Sequence, residues 1–177
     1  MIEPLREHDF APVGSAGAVE CFVEIPKGSR NKYEYDARLG GLRLDRFVSG
    51  SVVYPTDYGF IPETLSLDGD ALDALICVSE PTFPGCTVFA RPIALLEMAD
   101  EHGIDPHVLS VAVADPGWNQ LERLDDLPRL LKAEIEHFFA IYKDLDPDRH
   151  SSVSGWHGRE AALREIDQSR RRYLQTR

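Results

Sequence analysis

The sequence predicts an α+β fold, mainly β: a small closed barrel of strands with additional strands and two flanking C-terminal helices. Three observations lead there. Period-two alternation opens at Val19 and recurs in short segments as far as Asp115. Proline, glycine and turn pairs punctuate those segments. Helical periodicity appears only later, in two segments beyond Asp126. Strands first and helices after favour strands that close on themselves and are covered by helices.

The elements follow in order. Residues 1–17 carry Pro, Gly and Ser without a sustained period, so a flexible arm is expected over 1–18 and one domain over 19–177. VECFVEI alternates, with Val19, Cys21, Val23 and Ile25 on one face and Glu24 on the other, exposed side. KYEYD alternates again, and LGG at 39–41 marks a turn into LRLDRFV. Leu42, Leu44 and Arg46 share a face there; an arginine on such a face either snorkels at an edge or serves as a cation at a cavity mouth. SVVYPTDYGFIP reads as short strands with tight turns. LDALICV, CTVFARPIALLEM and HVLSVAVAD are further strands, with an edge or a bulge expected at Pro92. LPRLLKAEIEHFFAIYKDL places Leu127, Leu130, Leu131, Ile135, Phe138, Phe139 and Tyr142 along one stripe. Asp125 or Asp126 is expected to cap that helix, with Pro128 in its first turn. A second helix is expected from Arg159 to Leu174, its basic end explained by the helix dipole.

Composition narrows the function. The 177 residues carry a net charge of −11, which argues against nucleic acid and anionic membranes as partners. No stretch has the length and apolarity of a membrane span, and MIEPLREHDF lacks the apolar run of a signal peptide, so a cytoplasmic location is expected. Cys21, Cys77 and Cys86 are odd in number and widely spaced, unlike a disulfide framework or a zinc site. An acidic chain that handles an anion must recruit local cations, from Lys and Arg or from bound metal.

LDGDALDAL supplies the sharpest local feature. Asp68, Asp70 and Asp73 crowd into six residues, and carboxylates so close need a counter-cation to remain ionised together. Oxygen-only ligands suit magnesium or calcium rather than zinc. A calcium-loop reading fails on spacing, because Asp73 and Ser79 stand where that loop needs Gly and Glu. Taken alone, the segment is equally compatible with a solvated acidic turn. MADEHGID forms a second cluster with Asp100, Glu101 and Asp105, again beside an apolar strand, and two such clusters on one site would hold two or more metals. Lys32, Arg46, Tyr54, Tyr58, Tyr142 and Lys143 are each explicable as solvated or core residues when read singly. Phosphate-loop, nucleophile-elbow and paired-histidine zinc motifs are absent.

Six segments together, VEIPKGSRNKYEYD, YPTDYGFIPETLS, DGDALDAL, EPTFPGC, RPIALLEMADEHGID and EIEHFFAIYKDL, resemble the successive signatures of soluble family I inorganic pyrophosphatases. The resemblance runs in order from about Val19 to Trp156. It implies a five-stranded barrel like that of oligonucleotide-binding folds and, for the short bacterial form, a homohexamer. It also implies hydrolysis of inorganic diphosphate to two orthophosphates by a metal-activated water. By the same resemblance, Asp68, Asp73, Asp100 and Asp105 match magnesium ligands, and Glu24 lines the metal site. Asp70 matches the general base. Lys32, Arg46, Tyr58, Tyr142 and Lys143 match phosphate ligands, and Glu34 and Tyr54 match supporting residues. Mn2+ or Zn2+ are possible substitutes for Mg2+.

The chain departs from the family pattern in three places. His107 stands where a lysine is usual, which lowers positive charge at neutral pH if it keeps an ordinary pKa of about 6.5. Ala71 replaces a usual proline, a change of about 0.4–1 kcal/mol through unfolded-state entropy. Arg149 stands near a late family lysine and keeps its charge. Alternatives at this point are a catalytically reduced paralogue that senses a phosphorylated ligand, a nucleic-acid-binding barrel, and a phosphatase of nucleotides or sugar phosphates.

Overall fold

The computed structural model describes residues 17–176, so residues 1–16 of the expected arm lie outside the described residues. The elements run β1 (Val19–Ile25), β2 (Asn31–Asp36), β3 (Gly41–Phe47), β4 (Asp57–Ile61), β5 (Leu72–Cys77), β6 (Thr87–Asp100), β7 (Gly103–Ile104), β8 (His107–Ala112), α1 (Arg129–Ile141), β9 (Ser151–Gly158) and α2 (Arg159–Gln175).

The apolar alternation at Val19 becomes a strand with both edges paired. One edge meets β4 through Val23↔Gly59, and the other meets β6 through Val19↔Ala90. β4 continues to β5, β5 runs parallel to β8, and β8 pairs antiparallel with β6. The pairings β1–β4–β5–β8–β6–β1 therefore form a ring of five strands, the barrel-like arrangement expected. Closing a ring removes the unpaired edges that invite aggregation. β6 makes closure possible by its length of 14 residues: its first half serves β1 and its second half serves β7 and β9. Its bend lies where the register with β8 shifts between Pro92 and Ala94, the bulge expected from a residue that lacks an N–H. β2 and β3 form a separate hairpin.

Alternate residues of the central strands feed two apolar clusters. Leu75, Cys77, Leu109 and Val111 join Ile135, Phe138 and Phe139 of α1. Ala74, Ile76 and Val108 join Ala162 and Ile166 of α2. Each large side chain buried this way contributes about 1.5–3 kcal/mol. Where β1 and β4 pass closest, Gly59 is required by space. A Cβ there would lie 1.8 Å from the Phe22 carbonyl oxygen.

Four local expectations are corrected. Leu130, expected on the apolar stripe of α1, is 71% exposed. Pro128 is the N-cap of α1 rather than a first-turn residue, and neither Asp125 nor Asp126 caps it. Both belong instead to a 3-10 turn at Leu124–Asp126, where the Asp126 carboxylate accepts from the Glu122 and Arg123 amides at 2.9 and 3.1 Å. β9 breaks the expected order of strands before helices. Glu24, expected on an exposed face, is only 9% exposed because the β2–β3 hairpin covers it: the Tyr35 N–H donates to its Oε1 at 2.7 Å. Cys21, Cys77 and Cys86 are all free thiols.

Candidate active site

Two chain segments supply the acids. Asp68 and Asp70 sit on the turn between β4 and β5, and Asp73 is the second residue of β5. Asp100 ends β6, and Asp105 lies just before β8. The parallel pairing Ala74↔Val108 sets Asp73 beside His107, and the Asp105 N–H donates to the Met98 carbonyl at 2.9 Å. Donor atoms of Asp73, Asp105 and His107 consequently lie within 4.8 Å of one another.

Four carboxyls of the site, those of Asp73, Asp105, Asp70 and Glu24, resist ionisation. Burial, reinforced by the charge of Asp105, pushes Asp73 well above the usual carboxylate range, even though the Tyr58 hydroxyl donates to its Oδ2 at 2.5 Å. Asp105 is raised by burial and by Asp68 and Asp100. Asp70 is raised by burial and then by Asp68 and Glu34. Burial lifts Glu24 to about 7. Four acids disfavoured as anions in one place form a donor set in need of a cation. Their oxygen chemistry suits a hard divalent metal.

Cations border the same cleft, which has a volume of about 730 Å3. Lys32 Nζ lies 2.8 Å from Glu34 Oε1, and Glu34 Oε2 also holds Arg43 at 2.9 Å. Arg46, which lines the cleft, pairs with Asp45 at 2.8 Å and Asp146 at 3.5 Å. Lys143 Nζ bridges Asp100 and Glu101 at 2.8 and 2.9 Å. Burial pulls Glu101 upward, but Lys143 and nearby backbone N–H groups outweigh it and hold this carboxyl at about 2. Burial keeps the Tyr58 and Tyr142 phenols protonated, their pKa values well above the ordinary range.

Of the residues singled out in the sequence, Glu24, Lys32, Glu34, Arg46, Tyr58, Asp68, Asp70, Asp73, Asp100, Asp105, Tyr142 and Lys143 all line this one cleft. Tyr54 and His107 stand behind it. Tyr54 packs on Tyr58 and Phe138 with ring centroids 5.1 and 4.6 Å apart. His107 is 1% exposed; its Nδ1 lies 3.0 Å from the Asp105 carbonyl and its Nε2 lies 3.4 Å from Asp73 Oδ2. It therefore braces two aspartates from behind instead of lining the cleft. Sequence reasoning missed Glu101 as the second anchor of Lys143, and Asp146 as an anchor of Arg46. Asp146 also accepts from the Ser49 hydroxyl at 2.5 Å. Both contacts join residues remote in sequence, and only the fold brings them together.

Comparison with known proteins finds relatives along most of the chain. A family model described as inorganic pyrophosphatase matches residues 21–174. An inorganic pyrophosphatase of Methanosarcina acetivorans is 50% identical over 153 residues, covering 86% of this chain and 90% of that protein. One from Streptomyces coelicolor is 47% identical over 151 residues, covering 85% and 93%. The crystal structure of the Thermus thermophilus inorganic pyrophosphatase superposes with a TM-score of 0.88 at 43% identity, covering 93% of this chain and 97% of that one.

Proposed function

Because this chain belongs to the inorganic pyrophosphatase family, we propose that it hydrolyses inorganic diphosphate to two orthophosphates, with Asp70 as general base. The observation that carries the reading is the convergence of two acidic segments and the cations Lys32, Arg46 and Lys143 on one cleft.

Asp68, Asp73, Asp100, Asp105 and Glu24 would hold magnesium, or manganese or zinc in its place, and the metal when bound supplies positive charge and acidifies water. The protein's own groups do the rest. An Asp70 carboxylate oxygen takes the proton of the water that attacks phosphorus, as the bond from that phosphorus to the bridging oxygen breaks. Burial and the neighbouring Asp68 raise Asp70 above an ordinary carboxyl, toward the range of an effective base. The Arg46 fork and the Lys32 ammonium offset charge that grows on the departing phosphate. Tyr142, held protonated, is a donor to phosphate oxygens, and Lys143 adds a further point charge. Tyr58 meanwhile fixes Asp73 through its hydroxyl.

The resemblance to the short bacterial form supports a homohexamer of single-domain subunits over 19–177, working in the cytoplasm. No helix among the described residues is long and apolar enough to cross a membrane. Asp70→Asn tests the mechanism. The variant is expected to fold and to be stabilised by magnesium like the parent, while phosphate release falls by about 10²–10⁴-fold. Near-parental turnover would remove Asp70 from the role.

A further inference from the structure

Residues 62–71 join β4 to β5 and carry Asp68 and Asp70. This turn closes on itself. The Ser66 N–H donates to the Asp70 carbonyl at 2.7 Å, the Gly69 N–H to the Ser66 carbonyl at 3.3 Å, and the Asp70 N–H to Asp68 Oδ1 at 3.1 Å. Its two ends are tied by Thr64, whose hydroxyl donates to the Ile61 carbonyl at 2.5 Å and accepts from the Leu72 N–H at 2.9 Å. Such a unit is internally fixed, but its orientation over the cleft depends on a contact further away. Two hydrogen bonds to the Leu65 peptide carry the turn to α2. The Leu65 N–H donates to the Ser169 carbonyl at 3.0 Å, and the Leu65 carbonyl accepts from Arg172 Nε at 2.7 Å.

Both partners lie near the C-terminal end of α2, which is seated on the barrel by the buried Ala162 and Ile166. Arg172 is itself held in place: its Nη2 donates to Glu165 Oε1 at 2.5 Å and to the Ser169 hydroxyl at 2.7 Å. Ser169 is fully buried. A guanidinium suits this task because its Nε and Nη2 donors have a fixed relative direction. A continuous chain of contacts thus runs from the α2 core residues through Arg172 to Leu65, and from Leu65 through the closed turn to Asp70.

We propose that Arg172 is a positioning residue for hydrolysis: by grasping the Leu65 carbonyl it sets where the Asp68–Asp70 turn stands over the cleft. The inference rests on the reading of Asp70 as the base. Displacing a reacting group by about 1 Å costs on the order of 100-fold in rate, so loosening one of the two Leu65 bonds is expected to show in turnover rather than in binding. A different role, an ion pair with Glu165 that only strengthens α2, would involve neither the turn nor the chemistry.

The test compares Arg172→Met and Glu165→Gln with the parent full-length chain. It measures diphosphate turnover at saturating magnesium and amide hydrogen exchange of the free protein. Arg172→Met is expected to lower kcat about tenfold or more, with KM within about twofold. Exchange is expected to quicken in residues 62–71 and to stay at the parental rate in β6 and β8. Glu165→Gln keeps an acceptor for Arg172 and is expected to retain near-parental turnover and exchange. Parental behaviour of Arg172→Met in both measurements overturns the proposal. So does exchange that rises equally throughout the chain, or a Glu165→Gln loss as large as that of Arg172→Met. A parent that exchanges as described but releases no phosphate would instead overturn the proposed function.

Discussion

Glu24→Gln isolates the cost of assembling a cation site without its cation. Glu24 is nearly buried, and its Oε1 accepts the Tyr35 N–H at 2.7 Å, a bond that a glutamine carbonyl preserves. The substitution therefore removes charge and leaves shape and hydrogen bonding in place. Burial raises the folded-state pKa from 4.5 to about 7, so in metal-free protein the folded chain binds this proton more tightly than the unfolded chain does. Stability is then present at low pH and is lost as pH rises across the interval from 4.5 to about 7. At ~1.36 kcal/mol per pH unit that interval corresponds to roughly 3 kcal/mol as a ceiling, and a site of effective dielectric near 20 brings the expectation to about 1–3 kcal/mol. For a chain of this size the change amounts to a melting temperature higher by about 2–12 °C. The assay is thermal unfolding in chelator at pH 5 and pH 8, repeated with magnesium at pH 8. Glu24→Gln is expected to melt above the parent at pH 8 in chelator, to exceed it by much less at pH 5, and to gain less from magnesium. A variant that is less stable than the parent in chelator at pH 8, with an equal gain from metal, would refute the reasoning.

Other consequences are narrower. Gly59→Ala puts a methyl group against the Phe22 carbonyl, where a Cβ would lie 1.8 Å from the oxygen, and is expected to destabilise the β1–β4 pair by more than about 3 kcal/mol. Urea unfolding reads this directly, and an unchanged midpoint would contradict the close approach. His107→Leu leaves the Asp105 carbonyl without its imidazole partner and removes the brace behind Asp73. A loss of about 1–3 kcal/mol is expected, with a smaller melting-temperature gain from magnesium. Identical melting curves with and without metal would show that His107 braces neither aspartate.

The sequence made the barrel legible where period-two alternation was strong. β1 was readable to the residue, and Pro92 announced the bulge that lets β6 serve both ends of the sheet. β9 escaped because SSVSGWHG is rich in Ser and Gly and offers only Val153 and Trp156 to the apolar cluster around α1, too few for a period. Glu24 was misjudged because alternation assumes one wet face, whereas the β2–β3 hairpin covers the outer face of β1 at that point. The acids of the site were conspicuous as residue types, and their family resemblance gave them roles. The parts fixed by tertiary contact were not readable. Lys143 reaches Asp100 and Glu101 only because the segment after α1 folds against the end of β6 and the residue that follows it, and His107 reaches Asp73 only because β5 and β8 run parallel.

Phosphate release from diphosphate by chelator-stripped protein, followed while magnesium is titrated back, is the most direct test of the central claim that this acidic cleft is a metal-dependent diphosphate-hydrolysing centre. Triphosphate and ATP run in parallel establish which phosphoanhydride is preferred. The account predicts negligible release in chelator, recovery as magnesium is added, and a preference for diphosphate. Undiminished release in chelator, or no release from diphosphate at any magnesium concentration, would contradict it.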